Sequence, residues 1–348
     1  MINRVTKLRE KLKDNEGVLI SSKPNIFYYS GFTSADAMLY ISAEKAAILT
    51  DSRYTVQAKL EAPDFEAVIN NAKEYLKEIT ETRIYTEDGY LTAEKKEKLQ
   101  QVLGEKELIN GQTMISELRY IKDAEEISRI KAAEELGDAA FSHILEYIKP
   151  GIKENEVALE LEFFMRKQGA SRLSFTTICA SGERSAMPHG TASDKIIKRG
   201  ELFTMDFGCV LDGYCSDMTR TVIIGKPACE KQVEIYNTVL SAQLAALEAL
   251  MPGLPCSEAD RIARDYIKNA GYGECFGHSL GHSLGIEIHE NPNLSEKSKD
   301  ILTPGHVVTV EPGIYIEAFG GVRIEDVAAI TETGYINLTT SHKELIIL

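Results

Sequence analysis

No two of the six cysteines, Cys179, Cys209, Cys215, Cys229, Cys256 and Cys275, stand at CxxC spacing. A zinc ribbon and a small disulfide scaffold both need tighter clustering, so these thiols are expected to be reduced and in the core. Blocks of basic residues are missing as well. The formal charge is -14, from 39 Lys and Arg against 53 Asp and Glu, and such a surface repels a phosphate backbone, which argues against nucleic acid as a partner. Long apolar runs are also absent: no stretch approaches the ~20 apolar residues of a membrane span. The opening MINRVTKLREKLKDNEG alternates charge with apolar residues at helical spacing and lacks the apolar centre of a signal peptide. A cytoplasmic chain without a membrane partner is expected.

What is present suits a globular protein. Hydrophobic residues make up 43% and charged residues 26%, close to the averages for soluble domains. At 348 residues the chain exceeds the size at which one core stops growing, so two domains are expected. Residues 17–20, 37–41 and 46–50 are short apolar runs that read as strands of a small α/β domain. From Asp123 the pattern changes. Ile127, Ile130, Ala133, Gly137, Ala140, Phe141, Ile144 and Ile148 recur at steps of three and four until Pro150-Gly151, which describes a long amphipathic helix and its stop. The boundary falls just before it, giving domains over 1–121 and 122–348.

The second domain contains an internal echo. The helix ending at Pro150-Gly151 leads into Glu154-Asn155-Glu156, another helical pattern and a stop at Gly169; Met251-Pro252-Gly253 leads into Ser257-Glu258, a helical pattern and a stop at Gly271. Both pairs of landmarks share one offset, which points to two related halves folded against each other. A cleft between halves is a favoured place for a ligand.

Each half presents two carboxylates. In LFTMDFGCVLDGYCSDMTRTVIIG, residues 202–207 and 214–224 are strand-like and Asp212-Gly213 marks the turn of a hairpin. Folding brings Asp206 and Asp217 to within about two residues of direct opposition, close enough to share a site. Acidic residues are depleted in strand interiors; the bland account of these two is exposure, or ion pairs with Arg220 or another base. In the second half, residues 307–311 run as a strand into Pro312-Gly313. The chain returns through Phe319-Gly320-Gly321 to Val322-Arg323-Ile324-Glu325-Asp326, so Glu311 and Glu325 also meet across a hairpin. Four converging carboxylates repel and, once desolvated, take up protons unless a counter-charge arrives. Two divalent cations would supply it.

The loop FGHSLGHSLGIEIHENP holds His278, His282 and His289, three of the seven histidines. Its glycines let backbone approach a substrate closely. It is not the HExxH of a zinc-protease helix, because Asn293 stands where the second histidine is required. His189, in Met187-Pro188-His189-Gly190, is a weaker candidate, since a lone loop histidine is more often unremarkable.

MDFG followed by SDMTR, then GHSLGHSLGIEIHE, VTVEPGIY and GVRIED, in that order, resemble the metal-binding motifs of the pita-bread metallopeptidases, in the branch that holds aminopeptidase P and prolidase. YYSGFTSADAMLYISAEKAAILTDSRYTVQA resembles that branch's N-terminal domain, so the likeness covers nearly the whole chain. It implies an α+β protein: a pita-bread catalytic domain with pseudo-two-fold halves, preceded by a smaller α/β creatinase-like domain. It also implies two divalent metal ions per chain. Asp206 and Asp217 would hold one, His282 and Glu311 would belong to the other, and Asp217 and Glu325 would bridge them.

By the same resemblance His278 is a pocket residue, His189 and His289 contact the substrate carbonyl and the tetrahedral intermediate, Glu311 doubles as general base, and Arg323 orients its neighbours. A mostly carboxylate shell with one imidazole favours manganese, with cobalt, zinc or iron as alternatives. The implied reaction is hydrolysis of Xaa-Pro bonds in proline-containing peptides. SGFTSADA and LTDSRY look nearer to aminopeptidase P, which removes a residue preceding proline, than to prolidase, which cleaves dipeptides. Ser283, where many relatives have glycine, and Ser34-Ala35-Asp36 depart from the familiar pattern without removing a ligand. A metal-free peptide- or protein-binding module shares the fold but typically lacks several ligands, whereas all five stand here. The N-terminal domain and the intact ligand set weigh against a methionine aminopeptidase or a creatinase. A homodimer is expected by resemblance alone.

Overall fold

A mixed six-stranded sheet organises the first 119 residues. In the computed structural model, which describes residues 2–348, the chain divides into two units, one ending at Arg119 and the other spanning Tyr120–Leu348. The first unit runs α1 (Ile2–Arg9), β1 (Glu16–Ile20), α2 (Lys23–Ser30), β2 (Ala37–Ser42), β3 (Ala46–Thr50), α3 (Thr55–Glu61), β4 (Glu66–Ile69), α4 (Ala72–Glu78), β5 (Arg83–Thr86), α5 (Ala93–Leu103), β6 (Glu107–Asn110) and α6 (Gln112–Ser116). Sheet order is β4-β3-β2-β1-β5-β6, antiparallel across β1, β2 and β3 and parallel at both flanks. The three expected strands are β1, β2 and β3. The flanking β4, β5 and β6 have only four residues each, and β4 and β6 hold one buried position between them, too little to read as an apolar run.

The second unit begins with α7 (Ala124–Tyr147). Asp123 accepts from the Glu126 amide while the Glu126 carboxylate accepts from the Asp123 amide, a reciprocal cap that fixes where the helix starts. Then come α8 (Glu154–Lys167), β7 (Arg172–Leu173), β8 (Ile178–Ser181), β9 (Leu202–Phe207), β10 (Cys209–Leu211), β11 (Tyr214–Cys215), β12 (Met218–Ile223), α9 (Glu230–Ala249), α10 (Cys256–Asn269), β13 (Gly281–Ser283), β14 (Glu290–Leu294), β15 (Val307–Val310), β16 (Gly313–Ile316), β17 (Gly320–Arg323), β18 (Asp326–Ile330) and β19 (Tyr335–Asn337). The echo in the sequence is this repeated helix pair. Gly151 and Gly253 both have φ near +90°, at +99° and +90°, and Gly169 and Gly271 have +113° and +91°. The recurring glycines therefore mark backbone turns that other residues adopt only with strain.

Each half has its own core. Phe141, Val157, Leu161, Met205 and Phe207 join α7 and α8 to the sheet β12-β9-β8. Ile235, Leu247, Ala263, Val308 and Ala328 join α9 and α10 to the sheet β14-β13-β15-β18-β19. Arg220 ties the halves together. It is 1% exposed, pairs with Asp326 at 2.8 Å, and donates to the backbone oxygens of Glu325 (2.6 Å), Ser341 (2.7 Å) and His342 (3.0 Å). Its partner is thus neither Asp206 nor Asp217.

All six cysteines are free. Cys179, Cys209, Cys215 and Cys256 are buried as expected, but Cys275 is half-buried and Cys229 is exposed. Cys229 stands at the N-cap position of α9, with no side-chain capping bond, after a surface loop, which is why it escapes the core. No helix among the described residues is long and apolar enough to cross a membrane.

Candidate metal centre

The first carboxylate pair owes its geometry to a hairpin that changes sheets. β9 and β12 pair with Asp206 opposite Thr219. The tip is tight, with Asp212 at φ +47° and Gly213 at φ +85°, as two-residue hairpins favour. Between tip and base, β10 and β11 leave to join β7 in a second sheet. Gly208 permits the departure, because a Cβ there would sit 1.9 Å from the Ser216 carbonyl oxygen. Asp217 lies at the kink, and its amide donates to Glu134 Oε1 of α7 at 2.8 Å.

The second pair brackets the β16–β17 hairpin, in which Gly313 opposes Arg323. Glu311 follows β15, and its amide donates to the Leu280 carbonyl at 2.8 Å. Glu325 reaches across to the first half: its amide donates to Thr219 O at 3.1 Å, and Thr219 Oγ1 donates to its Oε2 at 2.7 Å. His282 rides on β13 at the bulge that separates it from Ser283 in the pairing with β14. Its amide donates to Thr309 Oγ1 at 3.0 Å, and Thr309 Oγ1 in turn donates to Glu311 Oε1 at 3.3 Å.

These residues share one pocket of about 480 Å³, lined by Asp206, Asp217, His282, Glu311 and Glu325 together with His189, His278, His289 and Arg323. Ligand atoms of Asp217, His282 and Glu325 lie within 4.8 Å of one another. His282 Nε2 is 3.5 Å from both Asp217 Oδ2 and Glu311 Oε1. Asp217 and Glu325 are only 4% and 1% exposed.

Burial dominates the electrostatics. It pushes the Asp217 and Glu325 carboxyls well up, with further upward pressure from neighbouring carboxylates, Glu325 foremost for Asp217 and Glu311 foremost for Glu325. Glu311 is pushed up to about 8 by burial, against the pull of Arg323. Asp206 is also raised by burial, with Arg323 opposing. His282 is pushed down to about 4, chiefly by burial and then by His289. Near neutral pH its ring is uncharged, so the 3.5 Å approaches are not ion pairs.

Such a donor set fits cations. Asp206 Oδ2 accepts from Arg323 Nη2 at 2.5 Å, yet Asp206 Oδ1 is buried with no hydrogen-bond partner among the described residues. A buried carboxylate oxygen without a donor, beside acids whose proton affinity burial raises and an imidazole whose charged form burial disfavours, is the arrangement that a divalent ion relieves.

The other candidates surround this centre. His189 sits at the tip of the loop after β8. That loop is held by the buried Glu154 of α8, which accepts from the Ser181 amide (2.7 Å), Ser193 Oγ (2.7 Å) and Arg184 Nη1. The His289 and His282 rings are 4.5 Å apart, edge to face. His278 Nε2 is 2.9 Å from the Tyr315 hydroxyl, and burial followed by Arg323 pushes the ring down to about 4. Arg323 also donates to that hydroxyl (2.8 Å), to the Pro188 carbonyl (3.1 Å) and to Thr219 Oγ1 (3.1 Å).

Several participants escaped the sequence reading. Glu134 carried a usable signal: it stands between Ala133 and Gly137 on the buried stripe of α7, where an acid needs a partner. Tyr315, Thr219 and Thr309 carried none, because one polar residue in a short strand has no periodic signature. Asp260 and Arg264 of α10 support the histidine loop from behind, through Leu280 N to Asp260 Oδ1 (2.9 Å) and Arg264 Nη2 to His278 O (2.8 Å).

Comparison with known proteins assigns both parts of the chain to known families. Residues 128–332 match the model of metallopeptidase family M24, and residues 4–121 match the creatinase/prolidase N-terminal domain. The chain is 40% identical over 349 residues to the Xaa-Pro dipeptidase of Pyrococcus horikoshii, covering 99% of each. A solved Xaa-Pro dipeptidase from Bacillus anthracis superposes with a TM-score of 0.96 at 44% identity, over 100% of this chain and 99% of that one. The X-Pro aminopeptidase of Thermotoga maritima MSB8 gives 0.93 at 38% identity, over 98% and 99%. The chain therefore belongs to metallopeptidase family M24, with a pita-bread catalytic domain that follows a creatinase/prolidase N-terminal domain.

Proposed function

We propose that this protein is a two-metal Xaa-Pro dipeptidase whose ligands are Asp206, Asp217, His282, Glu311 and Glu325. The observation that carries the reading is the meeting of Asp217, His282 and Glu325 within 4.8 Å, beside a buried Asp206 oxygen that has no donor. Four carboxylates and one imidazole form a hard set that suits manganese. Two divalent ions held by these residues would lower the pKa of a bound water toward about 7 and polarise the scissile carbonyl.

The protein's own groups do the rest. Glu311, already high in proton affinity, takes the proton of the attacking water and returns it to the proline nitrogen, which must gain one to leave as an amine. His189 and His289 line the pocket and donate to the carbonyl oxygen as its charge develops, each worth roughly 2.7–4 kcal/mol when well placed. Phe175, Ile178 and Ile288 offer an apolar wall to the proline ring. Arg323 holds Asp206 Oδ2 and keeps that ligand's other oxygen turned to the centre.

Dipeptide specificity is favoured over the aminopeptidase preference drawn from SGFTSADA and LTDSRY. The Xaa-Pro dipeptidases of B. anthracis and P. horikoshii match at 44% and 40% identity. The T. maritima aminopeptidase, at 38%, keeps the longer substrate as the second reading. Hydrolysis of matched Xaa-Pro and Xaa-Pro-Xaa peptides by Mn2+-loaded protein separates the two. The dipeptide should be cleaved and the tripeptide nearly untouched; efficient release of the first residue from the tripeptide would establish the aminopeptidase instead.

A further inference from the structure

Beside the turn that joins His282 to His289 lies a buried ion pair that the reaction does not use. Lys122, in the segment entering α7, has a side chain 1% exposed, and that of Glu290, at the start of β14, is 2% exposed. Lys122 Nζ stands 3.3 Å from Glu290 Oε2 and donates to Ser283 Oγ at 2.7 Å. Glu290 Oε1 accepts from the Glu287 amide at 3.1 Å, and the Gly285 amide donates to Glu287 O at 3.0 Å. A Cβ on Gly285 would lie 3.1 Å from both Glu290 oxygens and from Lys122 Cε. The turn between His282 and His289 is thus packed directly onto this pair.

The bridge falls at a telling place. Ser283 and Glu290 are register partners of β13 and β14. Ser283 follows His282 and its carbonyl lies 3.1 Å from His282 Nδ1; Glu290 follows His289. One ammonium therefore clamps the two residues adjoining the two histidines. A buried pair of this kind is often no more stabilising than apolar packing of equal volume, so stability alone does not account for it.

We propose that Lys122 is a positioning residue: by bridging Ser283 and Glu290 it sets the spacing and ring orientation of His282 and His289. The proposal rests on the roles given to those histidines above. It is tested with the double variant Lys122→Met, Glu290→Gln, which removes both charges of the pair together. The readouts are folding by circular dichroism, Co2+ titration of the metal-free protein with its visible spectrum, and kinetics on an Xaa-Pro dipeptide. The folded variant should bind Co2+ at one site about 10–100-fold more weakly, with an altered visible spectrum, and show a kcat lower by a similar factor at little changed KM.

Ser283→Ala, which spares the ion pair, should shift the same quantities in the same direction by less, and it decides the matter if the double variant does not fold. Co2+ affinity, spectrum and kcat equal to wild type in the folded variant, whatever its unfolding midpoint, would reduce Lys122 to a structural contact. Wild-type protein that binds Co2+ without cleaving Xaa-Pro would overturn the function and leave the Co2+ readout to judge Lys122. Wild-type protein that binds no Co2+ would overturn both.

Discussion

Glu311 and His282 are displaced in opposite directions by the same cause. Burial disfavours whichever form is charged, raising Glu311 to about 8 and lowering His282 to about 4. The folded protein therefore holds a Glu311 proton that the unfolded chain releases above its ordinary 4.5, and the associated stability is lost as pH rises through 8. For His282 the contribution is present above 6.5 and lost as pH falls through 4. Between pH 6.5 and 8 only the carboxyls act, and the raised Asp217 and Glu325 push the same way. Metal-free protein should thus unfold at lower urea at pH 8 than at pH 6.5, and added Mn2+, which competes with those protons, should stabilise it more at pH 8. A metal-free midpoint that is level or rising across this window would mean that the carboxyls are already ionised. At this scale the acids and histidines were legible because they crowd into motifs. Lys122 was not, since nothing in a chain of letters joins it to a serine and a glutamate so far along.

At the scale of the element, single glycines decide where the candidate ligands point. A Cβ on Gly281 would lie 2.1 Å from Thr309 O and 2.7 Å from Thr309 Oγ1, the hydroxyl that receives the His282 amide. Gly281→Ala should force β13 away from β15, cost about 1–3 kcal/mol by overpacking, and reduce kcat with it. Gly253, with nothing within 4 Å but φ at +90°, is the matched control. Gly253→Ala should lose stability through backbone strain alone and keep its kcat, and urea titration beside steady-state rates checks both. The helix pairs and hairpins were readable from Pro-Gly stops, apolar periodicity and the Asp-Gly turn. The exchange of sheets at Gly208 was not, because it depends on how closely Ser216 approaches.

At the scale of the whole molecule, the halves of Tyr120–Leu348 are locked by Arg220, which binds Asp326 and the Glu325 carbonyl beside the centre. Arg220→Met leaves Asp326 buried with Lys343, at 2.7 Å, as its remaining cation. Removing one partner of such a pair should cost about 3–5 kcal/mol in urea unfolding. Metal affinity should fall as well, because the Glu325 backbone loses its donor. Unchanged stability would show that Lys343 alone compensates.

The amino-acid order by itself determined which acids and histidines are the candidate ligands, their hairpins and the repeated helix pair, because these follow from local periodicity, turn chemistry and the rarity of acids in strands. Only the tertiary structure decided which basic residue meets which acid, that Arg323 rather than Arg220 holds Asp206, and which groups brace the centre from behind. Those choices are made by side chains from distant segments buried together, where the cost of an unpaired charge selects the partner.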